Sequence, residues 1–284
     1  MNRYNFLEKI GNGTHGCVYL LKDTDNTLVA CKSIPVKYKK NGMREVSILN
    51  KLSHRRIINL YEMVMEEERM CLIMEYIGNG SLDMLINYHM SINKISNFNI
   101  WSIFAQMIEG LSYLHKKNII HRDIKPSNIL VGIKKGPKEY FYDIKICDFG
   151  LSIFLKNKYI NDGCFVGTSY YMAPEIWLKD KYDCKVDMWS LGVVLYEIVT
   201  FKKPFTGRNR TELREDIFKK EINEISECED KFLEKLILKS LCINSRISSI
   251  ELRKEEKIKY FINYHKLKQK DLKIKELKNI KFQG

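Results

Sequence analysis

Apolar and polar positions change period several times along this chain. From Tyr4 to Val36, short runs rich in Ile, Leu, Val and Tyr are broken by glycines, the pattern of strands joined by turns. Cys17–Lys22 reads as the second of these strands. From Arg44 to Leu52 the period lengthens: Ile48, Leu49 and Leu52 fall at helical spacing, with Glu45 one turn before Leu49. Two more strands are expected at Ile57–Met63 and Met70–Tyr76. Ser81–Asn87 predicts a short helix. Ile95–Lys117 predicts a long one, with Ile100, Ile103, Phe104, Met107, Ile108, Leu111 and Leu114 on one side. An apolar helix is expected from Asp187 to Phe201, and three short helices fit between Pro204 and Arg246.

Composition narrows the class. The 284 residues are 45% hydrophobic and 29% charged, which describes a globular chain with one large core or two small lobes. The longest apolar run, Gly192–Tyr196, is far too short to span a bilayer, and residues 1–5 carry no apolar segment of the signal-peptide kind. Eight cysteines without a C-x-x-C pair favour reduced thiols, in cytosol or nucleus. Cys147 reads as a small core residue rather than a reactive thiol. The net charge of +13 is spread along the chain, so no nucleic-acid partner is expected from it. Only the end is concentrated, with Lys266, Lys268, Lys270, Lys273, Lys275, Lys278 and Lys281 beside Tyr260, Tyr264, Leu267, Ile274 and Leu277 near one helical face. Such a helix suits an acidic partner or a membrane surface, and equally a lysine-rich extension of the last domain helix.

The chemistry is concentrated in His121-Arg122-Asp123-Ile124-Lys125-Pro126-Ser127-Asn128, followed twenty residues on by Asp148-Phe149-Gly150. A carboxylate that accepts a hydroxyl proton, a lysine that steadies a phosphate, and an amide and second carboxylate that hold a cation are the parts phosphoryl transfer needs. Upstream, Gly11-Asn12-Gly13-Thr14-His15-Gly16-Cys17-Val18 fits G-x-G-x-x-G-x-V. Because a strand rather than a helix follows it, a hairpin closing over phosphates is the better reading than a dinucleotide loop. Val29-Ala30-Cys31-Lys32 then supplies a strand lysine, with Glu45 as its candidate partner.

With these motifs in this order, the chain resembles the eukaryotic protein kinases of Ser/Thr type from about residue 4 to residue 264. The resemblance implies an α+β, bilobal kinase fold: a small β-rich N-lobe (1–77) with one key helix, a larger, mainly helical C-lobe (78–264), and a basic tail (265–284). It implies ATP and Mg²⁺ as cofactors and Ser/Thr hydroxyls of proteins as acceptors. Asp123 is then the catalytic base or hydroxyl-orienting group, aided by Lys125, Lys32 and Thr168, while Asn128 and Asp148 hold the metal. The nucleotide would be met by Ile10, Gly11, Asn12, Gly13, Thr14, His15, Gly16, Cys17, Val18, Ala30, Lys32, Glu45, Met74, Glu75, Ile77, Asn128, Leu130 and Asp148. Leu49, Leu60, His121 and Phe149 would form the apolar stack between lobes. Asp187 would bond the catalytic-loop backbone, and Arg246 would pair with Glu175 of Ala173-Pro174-Glu175.

Several departures stand out. Only thirteen positions separate Lys32 from Glu45, and Gly42 weakens helix formation, so the helix is expected to start late and to offer little surface to a cyclin-type activator. Residues 132–143 are longer than a minimal kinase needs and are expected to form a hairpin pointing to solvent. Arg122 marks kinases switched by activation-segment phosphate, yet Cys164 stands where relatives carry Ser or Thr. Tyr159 is the only hydroxyl residue between Ser152 and Thr168. Either activation does not use this phosphate or it uses an unusual site. The glycine loop is similar to cyclin-dependent kinases and residues 165–172 to MAP-kinase-kinase or NIMA-related kinases, which leaves the subfamily open. A non-catalytic scaffold of this fold and a small-molecule phosphotransferase are the rival readings. Retention of Lys32, Asp123 and Asp148 argues against the first, and Thr168 with the A-P-E motif against the second.

Overall fold

A computed structural model describes residues 3–13, 16–135 and 140–281. The N-terminal part contains β1 (Tyr4–Gly13), β2 (Gly16–Asp23), β3 (Leu28–Pro35), α1 (Lys39–Leu49), β4 (Leu60–Glu66) and β5 (Arg69–Glu75). Its five strands form one antiparallel sheet in the order β1-β2-β3-β5-β4. The period of two sorts β5 cleanly: Met70, Leu72 and Met74 enter the main core, while Cys71 and Ile73 join Leu21, Val29 and Cys31 in a small cluster on the other face.

The helix α1 differs from the expectation. It begins six residues before Glu45, because a single 3-10 turn at Val36–Tyr38 suffices to connect it to β3. Gly42 lies inside it for a packing reason: a Cβ there would sit 2.5 Å from Met70 Sδ and 3.2 Å from Ile34 Cδ1. The glycine lets the helix lie close against the sheet, and that contact outweighs its poor propensity.

The C-terminal part contains α2 (Leu82–Ser91), α3 (Asn97–Lys116), β6 (Ile119–Ile120), β7 (Ile129–Lys135), β8 (Tyr140–Ile146), β9 (Ile153–Phe154), α4 (Pro174–Trp177), α5 (Lys185–Thr200), α6 (Arg210–Lys219), α7 (Lys231–Ser240), α8 (Ser249–Leu252) and α9 (Glu256–Lys281). Ser96 Oγ caps α3 by accepting from Asn99 N–H, and α5 is buried nearly all round, as its apolar sequence requires. Between Pro204 and Arg246 there are two helices rather than three. The intervening residues are held without helix: Ile225 and Cys228 are buried, and Glu234 accepts the Ile225 N–H at 2.7 Å.

One further expectation needs correction. The 132–143 segment is a β7–β8 hairpin, but not one that simply points outward. Phe141 is buried against the His265 ring, and Asp143 meets both Arg56 and Gln269. The face that α9 buries carries Ile258, Phe261, Ile262 and His265, leaving Tyr260 and Leu267 exposed. That helix runs unbroken through residue 264. No helix among the described residues is long and apolar enough to cross a membrane.

Candidate active site

Alternation on β3 turns Val29 and Cys31 to the small cluster and Lys32, like Ile34, to the opposite face, beneath which α1 lies. There Lys32 Nζ donates to Glu45 Oε2 and to Asp148 Oδ1, each at 2.7 Å. Burial alone would lower the pKa of this ammonium. The charges of Glu45 and Asp148 outweigh burial and hold it above its ordinary value. The same contact holds Asp148 below the usual carboxylate range against its own burial. Glu45 also accepts the Phe149 N–H at 3.3 Å, which ties α1 to Asp148-Phe149-Gly150. Cys147 is half-buried, donates to Asn128 O, and has its thiol pKa pushed up by burial, as befits a packing residue.

Asp123 sits at the centre of a second cluster. Its Oδ1 accepts from Thr168 N (3.0 Å) and Thr168 Oγ1 (2.8 Å), and its Oδ2 from Asn128 Nδ2 (3.0 Å) and Lys125 Nζ (2.8 Å). Lys125 Nζ also donates to Thr168 Oγ1 at 2.7 Å. The amide nitrogen of Asn128 is fully engaged by Asp123, through its carboxylate and its backbone carbonyl at 2.8 Å. Its amide oxygen is therefore turned to other work. That oxygen and the second carboxylate oxygen of Asp148 are hard donors of the kind magnesium takes.

Arg122 and Asp148 both adopt positive φ (67° and 62°), a conformation that costs about 1–3 kcal/mol per non-glycine residue. At Arg122 it is held by a fully buried acid on α5. Asp187 accepts the His121 and Arg122 N–H groups, each at 2.9 Å, and the His115 Nε2–H at 3.0 Å. The His121 ring packs edge-on to Phe149, which shares the main core with Leu49 while Leu60 packs against it. At the far end, Arg246 meets Glu175 bidentately (2.6 and 3.1 Å) and lies over the Trp189 ring.

Of the predicted nucleotide-contacting residues, Ile10–Gly13, Gly16–Val18, Ala30, Lys32, Met74 and Glu75 lie on the five-stranded sheet. The β1–β2 hairpin pairs Gly11 with Val18, Asn12 with Cys17 and Gly13 with Gly16, while Ala30 pairs with Met74. Ile10 is exposed and Met74 buried. Thr14 and His15 lie outside the described residues. Leu130 bridges to Ser81, and the Glu75 side chain binds Lys145 at 2.8 Å. Sequence reasoning missed three partners. Lys145 pairs with Glu75, His115 is the third donor to Asp187, and Asp162 lies 3.0 Å from Arg122 Nη1. Only Asp162 left a trace, as an acid two residues before Cys164.

A five-stranded sheet with a lysine–glutamate pair, set on a helical body that presents an Asp/Lys/Thr cluster and a second carboxylate, defines a bilobal α+β phosphotransferase of the kinase type. The chain belongs to the protein kinase domain family, which matches residues 4–270. It is 33% identical over 283 residues to probable serine/threonine-protein kinase nek1 of Dictyostelium discoideum, covering 93% of this chain and 58% of that one. It is 35% identical over 219 residues to human serine/threonine-protein kinase Nek5, covering 75% of this chain and 30% of the relative. It is 37% identical over 215 residues to Arabidopsis thaliana serine/threonine-protein kinase ATG1a, covering 74% and 33%. The chain thus spans less than two thirds of each of these relatives. Near-equal similarity to Nek-type and ATG1-type kinases assigns no subfamily. Membership of this family implies ATP-dependent phosphotransfer with a divalent metal and protein substrates.

Proposed function

We propose that this chain is a protein serine/threonine kinase that transfers the γ-phosphoryl of Mg-ATP to Ser or Thr hydroxyls of proteins. The observation that carries the reading is the Asp123–Lys125–Thr168 triangle together with the Lys32–Asp148 pair. Asp123, fixed by four hydrogen bonds, orients the acceptor hydroxyl and takes its proton. Lys125 sets a positive charge beside that carboxylate, where the transferring group's charge is stabilised. Thr168 holds Asp123 and Lys125 in register and favours a short aliphatic hydroxyl as acceptor. Lys32, pinned by Glu45, steadies the α- and β-phosphates beneath the glycine hairpin. Asn128 and Asp148 would hold Mg²⁺, which neutralises phosphate charge as it develops.

The eight unpaired thiols accord with a reducing compartment, cytosol or nucleus. Exposed Lys266 and Lys270 on α9 support an acidic partner for that end of the chain. A radiolabelled ATP assay against a Ser/Thr/Tyr peptide library tests the function, run beside Asp123→Asn and Lys32→Met. Labelling of Ser or Thr peptides by wild type alone is expected. Mg-ATP binding without turnover on any peptide would refute the reading in favour of a scaffold.

A further inference from the structure

Arg122 is buried, with 4% of its side chain exposed, and a buried guanidinium needs a counter-charge. Its Nε donates to Leu151 O at 2.7 Å, a neutral acceptor. Its Nη1 donates to Asp162 Oδ2 (3.0 Å) and Tyr182 Oη (2.9 Å). Tyr182 Oη in turn donates to the Asp162 carboxylate at 3.1 Å, and the other carboxylate oxygen accepts the Cys164 N–H at 3.1 Å. The backbone locks the same place. Ile160 and Tyr182 exchange two hydrogen bonds, at 2.9 and 3.1 Å. Five residues after Asp162, Gly167 at φ 105° passes so close to the Arg122 carbonyl that a Cβ would lie 2.7 Å from it. The next residue is Thr168, whose N–H and hydroxyl both bind Asp123. A short run of chain therefore links Asp162 to the carboxylate that orients the acceptor.

The charges are matched one to one. A phosphorylated side chain would bring about −1.5 to −2, whereas one carboxylate balances the one guanidinium it meets. Cys164 has no hydroxyl, and Tyr159 is half-exposed beneath Lys158. We propose that Asp162 is a fixed anion built into the segment. By pairing with Arg122 it holds residues 160–168 in the substrate-ready arrangement, so that no phosphate on this segment is needed for turnover. Asp162 is then a positioning residue, acting on Asp123 through Gly167 and Thr168. The inference rests on the kinase reading above and adds how the site is kept in order.

The test uses the full chain, freed of phosphate by phosphatase and checked by intact mass. Wild type should retain its activity in that state. Asp162→Asn, which keeps the shape and removes the charge, should lower kcat about 10- to 100-fold, the loss expected for one charge-assisted bond. The KM for ATP should stay unchanged, because the nucleotide side does not touch Asp162. Asp162→Glu should recover most of the rate, and Tyr182→Phe should fall between. Amide exchange over residues 155–167 should quicken in Asp162→Asn. Loss of wild-type activity on phosphatase treatment, or wild-type kcat and exchange in Asp162→Asn, would overturn the proposal. If wild type transfers nothing to any peptide, it is the kinase reading that fails. The exchange comparison then decides the anchor by itself: faster exchange supports it and unchanged exchange overturns it.

Discussion

Asp187→Asn is the sharpest single perturbation of this fold. Asp187 is fully buried and receives three donors: Arg122 N–H on Oδ1, and His121 N–H with His115 Nε2–H on Oδ2. An asparagine keeps one oxygen and replaces the other with NH₂. Whichever way the amide turns, its NH₂ faces an N–H that cannot accept. At least one hydrogen bond to a charged acceptor is lost, about 1.5–3 kcal/mol, and a buried donor is stranded, about 1–3 kcal/mol more. The sum, roughly 2.5–6 kcal/mol, is a large share of a domain's stability. His115 adds a pH signature. Burial would lower its pKa, but Asp187 raises it to about 9 from an ordinary 6.5. A raised pKa stabilises the fold fully below pH 6.5 and is lost as pH climbs through 9. The pair is therefore worth ~3 kcal/mol across that window. Urea unfolding followed by the fluorescence of the three tryptophans measures both effects. Wild type should weaken from pH 6.5 to 9.5, and Asp187→Asn should be weaker throughout with a flatter profile. A loss below about 1 kcal/mol at pH 6.5, or an unchanged pH slope in the variant, would refute the reasoning.

Two other substitutions test packing and pairing. Arg246→Ala leaves Glu175 without its bidentate partner and removes bonds to Lys185 O and Cys242 O. Because Glu175 keeps 22% exposure and can rehydrate, the lower end of the usual cost applies, ~3 kcal/mol, or roughly 6–12 °C in Tm by calorimetry. Gly42→Ala should destabilise by ~1 kcal/mol or more, although helix propensity alone favours alanine by about that much, because the new methyl meets Met70 Sδ and Ile34 Cδ1. A more stable variant in urea would show that Met70 simply moves aside.

The candidate site residues Lys32, Asp123, Lys125, Asn128, Asp148 and Thr168, which the structure brings into two linked clusters, were legible because they lie in short local motifs. Strand alternation in Met70–Met74 and the apolar periodicity of α3 were legible for the same local reason. The start of α1 was not. Propensity counted Gly42 against the helix, whereas the nearness of Met70, twenty-eight residues away, makes glycine the residue that fits. The missing third helix before Arg246 has a similar cause: the Glu234 carboxylate reaches back to the Ile225 N–H, nine residues before it, while Asp230 caps the start of α7.

By itself the sequence determined that this chain carries a phosphotransfer apparatus and in what order its parts come, since catalytic side chains and their flanking glycines are local in the chain. The pairs Lys32–Glu45 and Arg246–Glu175 were readable from the motifs, but only the tertiary structure decided the partners of the other buried charges. Arg122 meets Asp162 forty residues on, His115 meets Asp187 seventy-two residues on, and Arg56 is shared between Glu109 and Asp143. A buried charge takes whichever opposite charge the packing brings within about 3 Å, and that distance is set by how strands, helices and loops stack, which no local pattern of residues encodes.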